Sequence, residues 1–262
     1  MSLIVTVYVN DGIIMASDSR STLTNTIRTG NQIIQNNFPL SDATFKTFLC
    51  SNNCGISTCG AASYNNKPIA GFIEKFIQDF IKKDTPVADM PQMLLDYFDK
   101  IDNKSVTIFH ICGYENNEGI LNQRIYKIIT GENKQIHEMT NSAQGACWDG
   151  EIVTLEKILQ SQIIKPQIIS LQNLPIKIQE KEVVIPNALV IDANQAKIYS
   201  QANIAFEYMS LQDAIDFAKY AIETTVKTMQ FQSVAKTVGG PIDILSITPS
   251  GAKWIKHKKI MG

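Results

Sequence analysis

The 262-residue chain carries 24 Lys and Arg against 25 Asp and Glu, a near-neutral balance with no basic stripe, which argues against nucleic acid or a membrane surface as its partner. Its content of 44% hydrophobic and 19% charged residues is that of a globular protein long enough to bury a sizeable core. No apolar stretch reaches the length of a membrane span and no secretory signal opens the chain; an odd number of cysteines, five, without metal-ligand spacing points to a reducing cytoplasm, with neither metal nor other cofactor.

In chain order, two apolar runs flank the turn Asn10-Asp11-Gly12 in "MSLIVTVYVNDGIIMASDSRST", the pattern of a β-hairpin. The second run breaks off at Asp18-Ser19-Arg20, so the hairpin would return Asp18 to the neighbourhood of Ser2. A polar segment, Leu23 to Thr44, reads as a hairpin excursion or a loop. Residues 44–63, "TFKTFLCSNNCGISTCGAAS", form two short strand-like runs around Ser51-Asn52-Asn53. Cys50, Cys54 and Cys59 lie in this strand-like stretch with no histidine nearby and read as structural thiols.

Ile69, Phe72, Ile73, Phe76, Ile77, Phe80 and Ile81 recur at helical spacing behind Pro68, and Met90, Met93, Leu94, Tyr97, Phe98 and Ile101 repeat the pattern. Both stripes predict core-facing helices. Strands follow at 105–114, 124–131 and 134–140, then a third helix after Gly150. The stretch Lys165 to Phe206, interrupted by Pro166, Pro175 and Pro186, reads as an insertion or an extra hairpin layer. Ser210 and Asp213 form a capping box at the head of a long helix, "SLQDAIDFAKYAIETTVKTM", and "IDILSIT" closes the series as a strand before the turn Pro249-Ser250-Gly251. Strands and helices come in separate blocks, so the class is mixed α+β and not an alternating βαβ chain. His110, His137 and His257 have no evident Ser or Cys partner in the sequence and read as structural or exposed.

Several of these stretches together resemble proteasome β-subunits and related N-terminal-nucleophile hydrolases, in particular their bacterial proteasome-like branch. "IVTVYVNDGIIMASDSRST" is similar to the opening of those enzymes, in which a "DSR" motif lies sixteen positions after a catalytic first residue; here Asp18 lies sixteen after Ser2. Lys46 precedes Gly60 by fourteen, in "K…CGAAS", as a lysine precedes a glycine there. The two-helix segment, the "SLQDAIDFAKYAI" helix and "VGGPIDILSI" also resemble family counterparts. The likeness runs over most of the chain, with insertions at about 23–44 and 165–206.

The resemblance implies one domain over residues 1–262, a four-layer αββα sandwich of two antiparallel sheets with outer helices. It implies Ser2 as nucleophile after removal of Met1, with the freed α-amine, a group whose ordinary pKa is near neutrality, as general base. Lys46 would tune that pair, Asp18 would hold Lys46, and the Gly60 backbone N–H would bind the oxyanion. Thr22 and Ala62 would pair with an extended substrate backbone, and Arg20 would be structural. Where the family carries a serine in "GSG", this chain has Ala143-Gln144-Gly145, so Gln144 and Gly145 take the supporting place; where it carries aspartate and serine before a double glycine, the chain has Ala235 and Val238 before Gly239-Gly240.

Three functions follow. The first is a ring-forming or otherwise homo-oligomeric peptidase acting on extended peptides. The second is an amidase of the same chemistry acting on a small amide. The third is a non-catalytic subunit or assembly scaffold that keeps the fold alone.

Overall fold

A computed structural model describes residues 2–29, 32–51, 53–140, 144–159, 162–178, 181–200 and 204–259. Met1, Asn52 and Ala143, on which parts of the sequence reading fall, lie outside the described residues. The chain divides into two compact units: one runs to Thr154 and resumes at Ala205, and the other is Leu155–Ile204. The architecture is mixed α+β, with several antiparallel sheets and four α-helices among the described residues.

In the first unit, β1 (Leu3–Val9) and β2 (Gly12–Ser17) form the opening hairpin. All thirteen of their residues are buried, which explains continuous apolar runs where a one-sided strand would alternate. A two-stranded hairpin of its own follows, β3 (Ser21–Thr29) with β4 (Gln32–Ser41), over the segment that the sequence left between hairpin and loop. Next come β5 (Thr47–Ser51), β6 (Cys54–Gly60), the two-residue strands β7 (Ser63–Tyr64) and β8 (Lys67–Pro68), α1 (Ile69–Phe80) and α2 (Met90–Ile101). Pro68 is the N-cap of α1, one residue before its predicted place.

β9 (Thr107–Asn117) and β10 (Ile120–Ile129) are longer than the sequence pattern indicated, because Glu118 and Gly119 both take positive φ (53° and 90°) and close a tight hairpin. β11 (Gln135–Glu138) follows, then β12 (Gly145–Gly150), a strand the sequence reading did not identify, and α3 (Val153–Leu159). In the second unit, β13 (Gln162–Ile178) pairs with β14 (Lys181–Ser200) as one long hairpin. The first unit resumes with a 3-10 turn at Phe206–Tyr208, α4 (Leu211–Phe231), β15 (Asp243–Thr248) and β16 (Gly251–Lys256). The predicted capping box heads α4: the Ser210 hydroxyl accepts from Asp213 N, and the Asp213 carboxylate accepts from Ser210 N.

Two five-stranded sheets carry the first unit, in the orders β12-β1-β2-β15-β16 and β11-β10-β9-β6-β5. Ile13, Met15, Leu245 and Ile247 of the first sheet share one buried cluster with Cys112, Tyr114 and Ile125 of the second. The other side of the second sheet, with Ile56, Phe109, Ile111 and Ile128, packs on Ile73 and Phe76 of α1 and Leu94 and Phe98 of α2. Phe98 lies 4.8 Å from Phe109 and 5.4 Å from Tyr64, ring to ring. α4 packs on β1 and β2, and its buried Ala214, Ala218 and Ala221 let the helix lie close to the strands. Burial of each large side chain contributes roughly 1.5–3 kcal/mol, so these stripes, more than helix propensity, hold the helices in place.

Candidate active site

Where β2 ends at Ser17 the chain leaves the sheet, and Asp18 turns its carboxylate inward at 0% exposure. A buried carboxylate is costly unless its lone pairs are filled. Four donors fill them. Oδ1 accepts from the Leu3 N–H (2.9 Å) and from Lys46 Nζ (2.6 Å), and Oδ2 accepts from the N–H groups of Arg20 (3.1 Å) and Gly239 (3.0 Å). Lys46, also buried, gives a second N–H to the Arg20 carbonyl at 2.6 Å. Burial pulls the Lys46 pKa below that of an ordinary lysine, although the Asp18 charge and hydrogen bond oppose the shift; Lys258 adds a smaller push in the lowering direction.

A cavity of about 330 Å³ opens on Lys46, and Ser2, Thr22, Gly60 and Ala62 also line it, with Phe45, Thr58 and Cys59. Of the residues read from the sequence, Ser2, Thr22, Lys46, Gly60 and Ala62 thus share one wall system, anchored by Asp18. The chain start is held by backbone: the Ser2 carbonyl accepts from Glu151 N at 2.8 Å, and Gly150 lies opposite Leu3 in the β1–β12 register. Gly150 has φ 105°, and a Cβ there would stand 1.8 Å from the Ser2 carbonyl oxygen, so only glycine fits. Gly60 ends β6 with φ 109°, and a Cβ there would lie 2.9 Å from the Val106 oxygen. The Ala62 carbonyl accepts from Ile69 N at 3.0 Å and so ties this strand end to the first turn of α1. Thr58 Oγ1 is buried beside the cavity with no hydrogen-bond partner among the described residues.

Gln144 and Gly145 are not at this site. Gly145 pairs with Tyr8, at the opposite end of β1, on the order of 17 Å along the strand from Leu3. Gln144 Nε2 donates to Asn10 Oδ1 (2.7 Å), and its residue lines a separate polar cavity with Arg124 and Glu138. The physical reason is register: antiparallel pairing brings the far end of β12, Asp149 and Gly150, and the following Glu151 to the chain start. Arg20 turns outward, donating from Nε and Nη2 to Asp42 (2.6 and 2.7 Å) and from Nη1 to the Lys236 carbonyl (3.1 Å). Val238 is buried, and it is the double glycine itself, through the Gly239 N–H, that reaches Asp18.

No protein-family model matches the chain, and no curated protein matches it. Among the described residues, no helix is long and apolar enough to cross a membrane.

A second polar cluster escaped the sequence reading. His110 on β9 is fully buried, with Nε2 2.9 Å from Asp149 Oδ2, Nδ1 2.9 Å from Thr6 Oγ1, and the Cys147 sulfur 3.9 Å from Nδ1. His110, which has no evident Ser or Cys partner in the sequence, thus lies beside Cys147 in the fold. Lys127 Nζ reaches Asp149 Oδ1 at 2.6 Å. Burial opposes charge on His110, but the Cys147 sulfur and the Asp149 carboxylate overcome it and push the pKa up to about 9. Burial likewise works to raise the Asp149 pKa, yet His110 and Lys127 leave it below the ordinary carboxylate value. These residues come from four strands and are spread from position 6 to position 149, and no local motif marks them. The chemistry on the cavity wall is thus an alcohol, a buried amine of lowered pKa and a turning strand end, with this second cluster fastening β12 behind it.

Proposed function

We propose that the chain is an N-terminal serine hydrolase of the proteasome β-subunit-like kind, built as a four-layer αββα sandwich, that cleaves amide bonds in extended peptides. The observation that carries this reading is the cavity shared by Ser2, Lys46, Gly60, Thr22 and Ala62, with Lys46 gripped by a fully buried Asp18.

After removal of Met1, Ser2 carries both its hydroxyl and a free α-amine, whose ordinary pKa of about 7.7–8.0 suits proton transfer at neutral pH. The amine takes the hydroxyl proton, directly or through a water, as Oγ attacks the substrate carbonyl carbon. Lys46 stabilises the developing negative charge and disfavours protonation of the neighbouring amine. The Gly60 N–H receives the oxyanion, a contribution of about 2.7–4 kcal/mol for such a donor. Collapse of the tetrahedral species breaks the C–N bond, the leaving amine takes the proton, and water then hydrolyses the Ser2 ester by the same route. Thr22 and Ala62 hold the substrate as an added strand. The near-neutral charge and five free cysteines support a cytoplasmic setting, and the family likeness supports a homo-oligomer.

The test is intact-mass analysis of the purified native protein before and after a peptide epoxyketone, which captures an amine and an alcohol on one residue. Loss of Met1 and one adduct per chain, absent in Ser2→Ala, is the expected result. Retained Met1 or an adduct that survives Ser2→Ala overturns the reading in favour of the scaffold, and turnover of small amides without peptides redirects it to the amidase.

A further inference from the structure

Phe45 stands between two cavities. It lines the Ser2 cavity, and it also lines a more apolar one of about 380 Å³ with Ile77, Trp254 and His257. Nothing in the chemistry of Ser2 explains how this ring is held. The answer lies in the segment after β16. Lys258 lies with its ammonium 4.5 Å from the centre of the Phe45 ring, and the His257 ring lies 5.1 Å from it. Both residues are fixed from behind by Asp243, which is fully buried at the start of β15 opposite Ser17. Asp243 Oδ1 accepts from the Lys258 N–H at 2.8 Å and lies 3.5 Å from His257 Nδ1, while Oδ2 is ion-paired with Lys258 Nζ. His257 also stacks on Trp254 with ring centres 3.9 Å apart. The Phe45 ring is therefore backed by a cation and an imidazole that share one buried carboxylate.

We propose that His257 and Lys258 are positioning residues that set, through Phe45, the size of side chain that the Ser2 cavity accepts. The proposal rests on the reading of that cavity as the substrate site. A cation over an aromatic face is a directional contact, stronger when desolvated, and the Lys258 side chain is only 6% exposed. Without it, Phe45 can drop toward the second cavity, and the wall of the first recedes. Neither His257 nor Lys258 lines the Ser2 cavity, so their effect on its shape passes through the ring.

Removing Lys258 alone would leave Asp243 buried without its ion partner and could unfold the chain. The test therefore uses Asp243→Asn/Lys258→Met, which removes both charges at similar volume, with His257→Ala as an independent second variant. Epoxyketone peptides differing only in a final alanine or naphthylalanine side chain are the probes, and labelling rates are read by intact mass. The expected result is a rise of about threefold or more in the bulky-to-small rate ratio in both variants, with Lys258→Arg keeping the wild-type ratio. Any effect of lost charge on Lys46 scales both probes alike and cancels in the ratio; an unchanged ratio in both variants overturns the proposal. Fluorine NMR of 4-fluorophenylalanine-labelled protein, with the Phe45 signal assigned by Phe45→Leu, separates the two failures. A Phe45 signal that stays fixed in both variants removes the clamp whether or not Ser2 reacts. A signal that moves in a protein no epoxyketone labels leaves the clamp standing and removes the size preference together with the Ser2 reading.

Discussion

Asp18 and Asp149 are two buried carboxylates near the chain start, and they are held in different ways. Three of the four donors on Asp18 are backbone amides, from Leu3, Arg20 and Gly239, and only Lys46 is a side chain. Asp149 is held by side chains, His110 from β9 and Lys127 from β10. Backbone amides do not titrate and are already ordered once the strands pair. The His110 imidazole loses its charge as pH rises, and a partly exposed lysine must give up rotamer freedom to stay in place. The first carboxylate is therefore a fixed anchor for Lys46, and the second is a pH-dependent fastening between two sheets. Between them lies Ser2, tied by hydrogen bonds to neither side chain but held through Leu3 on one side and Glu151 on the other.

The largest effect that could break this contrast is loss of Asp18. Asp18→Ala leaves Lys46 and three amides buried without their acceptor, and urea unfolding should record a loss of about 3–5 kcal/mol. Asp149→Ala should lose less, because the Lys127 side chain is 26% exposed and can turn to water; the reverse order would abolish the distinction. The second effect is on pH. His110 has its pKa raised above the unfolded value, so the stability it contributes is complete below about pH 6.5 and disappears as pH climbs through about 9. Urea midpoints at pH 6 and 9.5 should differ by an amount equivalent to roughly 3 kcal/mol, and His110→Gln should flatten that difference. At the acid end the sign is opposite: the depressed Asp149 pKa gives stability that is present above the ordinary carboxylate range and lost as pH falls through the folded value.

Third, Gly150→Ala should lose about 1–3 kcal/mol in thermal or urea unfolding, since a side chain at positive φ must also push the Ser2 carbonyl aside. Ser2 labelling should fall with it. The smallest effect sharpens the comparison from outside. Asp42, whose side chain is 47% exposed, pairs with Arg20 at the solvent edge of the Asp18 knot. Asp42→Asn should change stability by only about 0.2–1 kcal/mol, less at high salt, because solvent screens the pair.

What could be read from the residues, and what could not, divides along sequence distance. The opening hairpin, the stripes of α1 and α2 and the Ser210–Asp213 cap all rest on neighbours within a few positions. Ser2, Asp18, Lys46 and Gly60 could be linked only through the resemblance of their spacing to a family pattern, not because the residues themselves reveal the contact. β12 was missed because "GACWDG" is short and bounded by glycines, and its pairing partner lies some 140 positions earlier. The supporting role at Gln144 and Gly145 rested on the family's "GSG" place alone, whereas the β1–β12 register puts Gly150 and Glu151 beside Ser2. The cluster of Thr6, His110, Lys127, Cys147 and Asp149 has no local signature, since each member is an ordinary strand residue until two sheets bring them together.

By itself, the sequence determined the class and most of the elements: apolar periodicity, turn residues and caps act through contacts a chain makes with its own neighbourhood. Tertiary structure alone decided the strand register, the four donors on Asp18, the charge on His110 and the clamp behind Phe45. Register is a choice among many pairings of similar local quality, settled by which one buries both faces of β1 and β2 and fills every lone pair of a buried carboxylate at once.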